Sequence, residues 1–294
     1  MPLGTATPRP GPVEVWRRPL PHLKGQLMTQ VVVRSMTFLA RRYVVEIEGL
    51  EHLEAMEDPF VFAANHSQRL EAVMLPGLLF FHRGGIRIHF MADWAMMLVP
   101  GVGLMYRCGE VIPVGGKKPK IAFLDRLKKH YVPKGSAWDR AAEHLRQGKS
   151  VGIFPEGTVN RDPEGLLRGR PAAARLAVEQ QVPVLPAGIR FPENQGEPIV
   201  DGAKMAIRFA PPLTPPPATV VEGADPAANS RSEKRRAGVS SEPGASGDVE
   251  VGPERADPRP VREFHARIMT ELARLSGKRW HPGAPRRKTH GSQT

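Results

Sequence analysis

Apolar runs of strand length alternate along most of the chain with stretches in which apolar residues recur at helical spacing. In "HLKGQLMTQVVVRSMTFLARR", residues 22–42, Leu23, Leu27, Val31 or Val32, Met36, Phe38 and Leu39 fall near one broad face. Lys24, Arg34, Arg41 and Arg42 lie elsewhere, so the pattern predicts an amphipathic N-terminal helix that either packs on a core or lies on an interface. "YVVEIEGLEHL" alternates and turns at Gly49, which predicts a strand. "DPFVFAANHS" predicts a fully buried strand ending at Asn65 and His66, and "LEAVMLPGLLFF" a helix after it.

The same alternation continues downstream. "RIHFMAD", "EVIPV", "SVGIFPEG", "VPVLPAGIR" and "KMAIRFAPPL" read as strands. Between them, "AMMLVPGVGLMYRCG" reads as a helix or helical hairpin broken at Pro100, "SAWDRAAEHLRQG" as a helix closed by Gly148, and "PAAARLAVEQQ" as a helix with Pro171 in its first turn. Strands alternating with helices predict an α/β fold in which a mostly parallel central sheet is covered by helices on both faces. Ligand sites in such folds belong at strand ends.

Composition divides the chain further. Residues 1–21 are Pro-rich and read as a disordered lead without a secretion signal, and residues 43–212 as the folded domain. Residues 213–258, rich in Pro, Ala, Gly, Ser and charge, read as a disordered insertion. Val261, Phe264, Ile268, Leu272 and Leu275 then predict a helix over 259–278 that returns to the domain, followed by a basic tail over 279–294. Residues 115–134 form a basic excursion expected on the surface.

Across 294 residues, 42 Lys and Arg against 30 Asp and Glu give a net charge of +12, which favours an anionic partner. The basic residues concentrate in tails, excursion and linker, and aromatics make up only 6% of the chain, so nucleic acid is set aside. The most apolar windows, Leu27 to Ala40 and Trp94 to Tyr106, fall short of the roughly 20 residues of a membrane span, so a membrane partner would be met at its surface. One cysteine, Cys108, excludes an internal disulfide framework and a Cys-based zinc site.

Four blocks carry candidate chemistry. His66 and Glu71 lie at the end of the predicted buried strand, where a turn can bring the carboxylate onto the imidazole, fixing its tautomer and raising the basicity of the other nitrogen. "GIFPEGTVNRDPEG" delivers Glu156, Gly157 and Thr158 to the same sheet edge, with Arg161, Arg168 and Arg170 as cationic donors for a phosphate. "GVGLMYRCGEVIPV" places Arg107 just ahead of a strand, and "VPVLPAGIR" is an apolar strand punctuated by Pro183 and Pro186. "GKS" at residues 148–150 precedes a strand instead of following one and fails as a phosphate loop. His66, His82 and His89 lack a helical His-x3-His pair, so no metal is expected, and His82 and His89 read as surface or half-buried groups.

In this order and spacing, the four blocks resemble those of the PlsC-like family of glycerolipid acyltransferases, which acylate 1-acylglycerol 3-phosphate and related acceptors. Asn65-His66 with Glu71 is similar to the family's Asn-His-x4-Asp motif, the stretch around Arg107 to its second block, "FPEGTVNRD" to its third and "VPVLPAGI" to its fourth. The resemblance implies His66 as general base, Glu71 as its orienting carboxylate, and Asn65 beside them. It implies that Arg107 holds the acceptor head group and that Glu156, Gly157 and Thr158 bind the acceptor near the base. Glu71 stands in place of the commoner aspartate, Val159 where many members carry arginine, and Ala172 where a glycine is common. Arg161 is then expected to supply the charge missing at Val159, with Arg170 on the phosphate.

The implied reaction is direct acyl transfer from acyl-CoA or an acyl carrier protein thioester, with no resident cofactor. Its expected setting is the cytoplasmic face of the plasma membrane, as a peripheral protein. Another lysolipid acceptor, or a catalytically degenerate lipid-binding relative, are the alternatives.

Overall fold

The computed structural model describes residues 6–115, 128, 130–194, 196–217 and 258–283. Eight strands form one sheet in the order β1-β2-β8-β7-β3-β6-β4-β5. They are β1 (Ala6–Thr7), β2 (Val44–Glu48), β3 (Val61–Ala64), β4 (Ile88–Asp93), β5 (Ile112–Val114), β6 (Ser150–Ile153), β7 (Val184–Arg190) and β8 (Met205–Phe209). From β7 through β3, β6 and β4 to β5 every pairing is parallel. β8 turns back antiparallel on β7, and β2 and β1 extend that edge. The α/β fold with a mostly parallel central sheet is therefore the one observed.

β3 lies inside the parallel part, between β7 and β6, and its sequence explains the two-sided burial. Phe62 and Ala64 enter one core cluster, Val61 and Ala63 the other, and all four are fully buried. Alternate residues of a strand face opposite sides, so a strand covered on both faces has no polar position to offer. Burying one phenylalanine of this kind stabilises the fold by about 2 kcal/mol. Helices α2 (Leu27–Tyr43) and α4 (Glu71–His82) cover the first face. The helices Ala137–Arg146 and Ala172–Gln180 and the C-terminal helix Pro258–Ser276 cover the second. Gly188 of β7 admits that last helix: a Cβ there would stand 2.3 Å from Leu275 Cβ.

Several expectations are corrected. The lead is not disordered from residue 6 onward: Pro12–Arg17 is helix α1, and Val15, Leu20 and Leu23 are buried. Arg34 of α2 donates to Val15 O and, at 2.9 Å, to Arg18 O, which ties this Pro-rich segment down. On α2 the buried side is Thr29, Val33, Thr37 and Ala40, whereas Leu27, Val31, Phe38 and Leu39 are exposed. The small side packs because α2 and α4 approach closely at Met36 and Gly77, and Thr37 satisfies its hydroxyl on Val33 O at 2.8 Å.

After the turn at Gly49, residues 50–54 form a short helix, α3, and Pro171 caps its helix from outside. The linker begins later than residue 213, since Leu213 exchanges both backbone hydrogen bonds with Val184. Arg279 and Trp280, placed in the tail, are held against residues 164–168. Most of the basic excursion and of the linker lies outside the described residues.

Candidate active site

β3 runs out at Ala64, and Asn65 then continues its ladder with a side chain. Asn65 Oδ1 accepts from Ile189 N at 2.7 Å, and Nδ2 donates to Ile189 O at 2.9 Å. The amide thus fastens the strand end to β7 and is fully buried. His66 is the next residue, and the loop after β6 holds its backbone from both sides. His66 N donates to Glu156 Oε1 at 3.1 Å, and Asn160 N donates to His66 O at 2.7 Å. The imidazole stacks on Phe154 with centroids 4.5 Å apart.

Glu71, in the first turn of α4, reaches back across the turn. Its Oε2 lies 2.9 Å from His66 Nδ1 and accepts from Ser67 N at 2.8 Å. Glu71 is fully buried, and its Oε1 has no hydrogen-bond partner among the described residues. A carboxylate acceptor on Nδ1 places the ring proton there and leaves Nε2 as the basic nitrogen. The longer side chain of glutamate is accommodated without loss of the contact.

Glu156 does not reach outward as a substrate ligand. Besides His66 N, it accepts from Asn160 Nδ2 at 2.7 Å and Leu167 N at 2.9 Å, and it is 3% exposed. Burial pushes its carboxyl above the usual glutamate range, against the hydrogen bonds and the charge of Lys278, which hold it back. Asn65 and Glu156 are therefore corrected from binding residues to groups that position the His66 loop.

The His66 ring lines a cavity of about 890 Å³, within the size range of small-ligand pockets. Its walls are mainly apolar: Val32, Val33 and Met36 from α2, Val73 and Phe80 from α4, Phe90 and Met91 from β4, and Met105 and Tyr106 from α5 (Val102–Cys108). Gly157, Thr158, Val159 and Arg170 line it beside His66, with Arg69. Gly157 has φ +66°, which a side chain would strain, and a Cβ there would meet Arg170 Nε at 3.5 Å. Arg175 also lines the cavity, pairing with Glu179 at 2.7 Å and lying over the Trp138 ring.

Arg161 is turned away from this cavity. It pairs with Asp201 at 2.7 Å and donates to Ile199 O at 2.5 Å, so it does not replace the charge missing at Val159. Arg107 is exposed on α5, and its neighbours Tyr106 and Cys108 line the cavity instead. Arg168 is exposed, with its carbonyl accepting from His265 and Trp280. His82 and His89 are buried, not superficial. Among the described residues, no group of three or more His, Cys, Asp or Glu is placed to hold a metal ion.

Two basic residues were missed. Arg69 stands inside the first motif but carries no signal of its direction. Lys278, from the end of the C-terminal helix, donates to Ser67 Oγ at 2.8 Å directly behind the histidine, and only the folded chain brings the two together.

A family model described as acyltransferase matches residues 44–190. A chloroplastic 1-acyl-sn-glycerol-3-phosphate acyltransferase of Brassica napus is 26% identical over 171 residues, 58% of this chain and 42% of the relative. A chloroplastic protein of the same description from Arabidopsis thaliana is 27% identical over 50% of this chain and 35% of its own length. The chain thus spans less than half the length of these two relatives. A 1-acyl-sn-glycerol-3-phosphate acyltransferase of Bacillus subtilis is 26% identical over 60% of this chain and 76% of its own. The crystal structure of PlsC from Thermotoga maritima aligns over 87% of this chain and 80% of that one, with 19% identity and a TM-score of 0.46.

Proposed function

The chain belongs to the acyltransferase family, and from that premise we propose that it moves a fatty acyl group from an acyl thioester to the free hydroxyl of a lysophospholipid. The acceptor is 1-acyl-sn-glycerol 3-phosphate and the product phosphatidic acid, the substrate class named in the relatives' descriptions. The observation that carries this reading is the 2.9 Å contact of His66 Nδ1 with Glu71 in the wall of an apolar cavity, beside Arg69 and Arg170.

In this reading His66 Nε2 takes the proton of the lysolipid hydroxyl as its oxygen attacks the thioester carbonyl. The tetrahedral oxyanion collapses, the C–S bond breaks, and the departing thiolate recovers the proton from the imidazolium. Glu71 stabilises the transient imidazolium and keeps the ring in one tautomer. An acyl chain occupies the apolar cavity, and Arg69 and Arg170 meet the phosphate at its rim. The donor is acyl-CoA or an acyl carrier protein thioester, consumed as a co-substrate.

A lipid acceptor places the protein at a membrane surface, as a peripheral protein. No helix among the described residues is long and apolar enough to cross a membrane. The outward side of α2 offers Leu27, Met28, Val31, Phe38 and Leu39, with Trp16 of α1 packed near Phe38. Helix α2 also walls the cavity with Val32, Val33 and Met36. An amphipathic helix of this kind lies in the interface plane and gives a lipid a short path to His66.

The test is transfer of labelled acyl groups from both thioesters to a panel of lysolipids. Transfer to 1-acylglycerol 3-phosphate in preference to uncharged acceptors is expected. Transfer confined to acceptors without a phosphomonoester would move the substrate, and transfer to none would reduce the protein to a lipid-binding relative.

A further inference from the structure

Lys278 meets the loop of His66 from 211 residues away. It follows the C-terminal helix through Gly277 and lies well outside the family match of residues 44–190. Its ammonium donates to Ser67 Oγ at 2.8 Å and to Asp162 O at 2.6 Å. Ser67 belongs to the loop after β3 and Asp162 to the loop after β6, so one side chain joins the two segments that carry the site. The clamp is buried: Lys278 is 6% exposed and Ser67 fully enclosed.

Charge around the clamp is unbalanced without it. Glu71 and Glu156 are both buried carboxylates, and Ser67 N is itself a donor to Glu71. A buried carboxylate is costly unless a cation or several donors meet it. Burial pulls the Lys278 ammonium below the usual lysine range, and the charges of Glu156, Glu71 and Asp162 oppose that pull. The groups facing the His66–Glu71 pair are then Lys278 and Glu156 behind it, and Arg69 and Arg170 in the cavity wall.

We propose that Lys278 is a positioning residue for the His66–Glu71 pair, its ammonium clamping Ser67 and Asp162 together so that the turn holds Glu71 against His66 Nδ1. The proposal rests on His66 acting as the base. A lysine that only filled space would place its ammonium in solvent, as long charged side chains ordinarily do.

The experiment compares full-length wild type with Lys278→Met, Lys278→Arg and Ser67→Ala. Lys278→Met is expected to lower kcat by about 10-fold or more, while KM for both substrates stays within about 2-fold. Removing a buried cation makes protonation of the site less costly, so the acid limb of the pH–kcat/KM profile moves to higher pH. Lys278→Arg retains the charge and restores most of kcat. Equal impairment of the Met and Arg variants with an unmoved acid limb, or an unchanged kcat in Lys278→Met, overturns the proposal.

Should Lys278→Met fail to fold, Ser67→Ala removes one of the two clamp acceptors and should lower kcat at constant KM; an unchanged kcat overturns the proposal equally. The 15N chemical shifts of the His66 ring report its tautomer independently of turnover. The Nδ1-protonated tautomer should persist in wild type and Lys278→Arg and lose population in Lys278→Met and Ser67→Ala. Absence of any transferase activity would defeat the functional reading, whereas an unchanged His66 tautomer in Lys278→Met and Ser67→Ala would defeat the positioning role by itself.

Discussion

Glu71 Oε2 stands 2.9 Å from His66 Nδ1 and 2.8 Å from Ser67 N, so one carboxylate oxygen orients the imidazole and closes the turn that presents it. Orientation of the ring and geometry of the loop are therefore coupled through a single atom. Chemistry can still be separated from folding, because a substitution at Glu71 can keep that oxygen and lose its charge.

Glu71→Gln is expected to do this. An amide whose oxygen takes the place of Oε2 keeps both contacts, on His66 Nδ1 and Ser67 N, but brings no negative charge to the ring. Without a counter-charge for the imidazolium formed on proton transfer, general-base catalysis by His66 is weakened, and kcat should fall by about 10-fold or more with little change in KM. Steady-state kinetics decides it, and a kcat near wild type would contradict the role of Glu71.

Arg170 and Arg161 should part company. Arg170 lines the cavity beside Gly157, whereas Arg161 is committed to Asp201 and Ile199. Arg170→Ala should raise KM for a phosphate-bearing acceptor by about 10-fold or more, the worth of one charge-assisted hydrogen bond. Arg161→Ala removes a half-exposed ion pair, should cost stability about 0.5 kcal/mol, and should leave that KM unchanged. The reverse ranking would restore Arg161 to the site.

The strands and the His66–Glu71 contact were legible because they depend on local pattern: a continuous apolar run for β3 and a five-residue spacing across one turn. The directions of side chains beyond that were not. Glu156 sits in a motif rich in turn residues, and nothing in its spacing tells whether it points to solvent or back to His66 N. Arg161 and Arg170 are equivalent as letters, and Asp201, forty residues after Arg161, decides between them. On α2 the pattern left packing and interface open, and the structure turns Thr29, Val33, Thr37 and Ala40 to the core and Leu27, Val31, Phe38 and Leu39 outward. Lys278 illustrates the limit most plainly, since its partner Ser67 lies 211 positions earlier.

The exposed side of α2 gives a separate prediction. Replacing Phe38 and Leu39, 47% and 39% exposed, by glutamate should release the protein from anionic vesicles without altering its thermal midpoint, and should spare transfer to a water-soluble short-chain acceptor. Unchanged sedimentation with vesicles would refute the interfacial role.

His82 predicts a pH dependence of stability. Burial, reinforced by Arg18, lowers its pKa from 6.5 to about 4, and both ring nitrogens are buried without hydrogen-bond partners among the described residues. The folded value lies below the unfolded one, so the fold prefers neutral imidazole. That contribution is complete above pH 6.5 and is lost as pH falls toward 4, by about 3 kcal/mol. His82→Phe should flatten the decline, measured by urea unfolding at pH 7 and pH 4.5. An equally steep decline in the variant would place the titration elsewhere.

The central claim is that His66 is the base in acyl transfer to a lysolipid hydroxyl. Its most direct test is turnover of 1-acylglycerol 3-phosphate with an acyl thioester by wild type and His66→Ala, alongside circular dichroism of both. The account predicts measurable phosphatidic acid from wild type and a loss of about 1,000-fold or more in a variant that remains folded. Turnover retained by folded His66→Ala would contradict it.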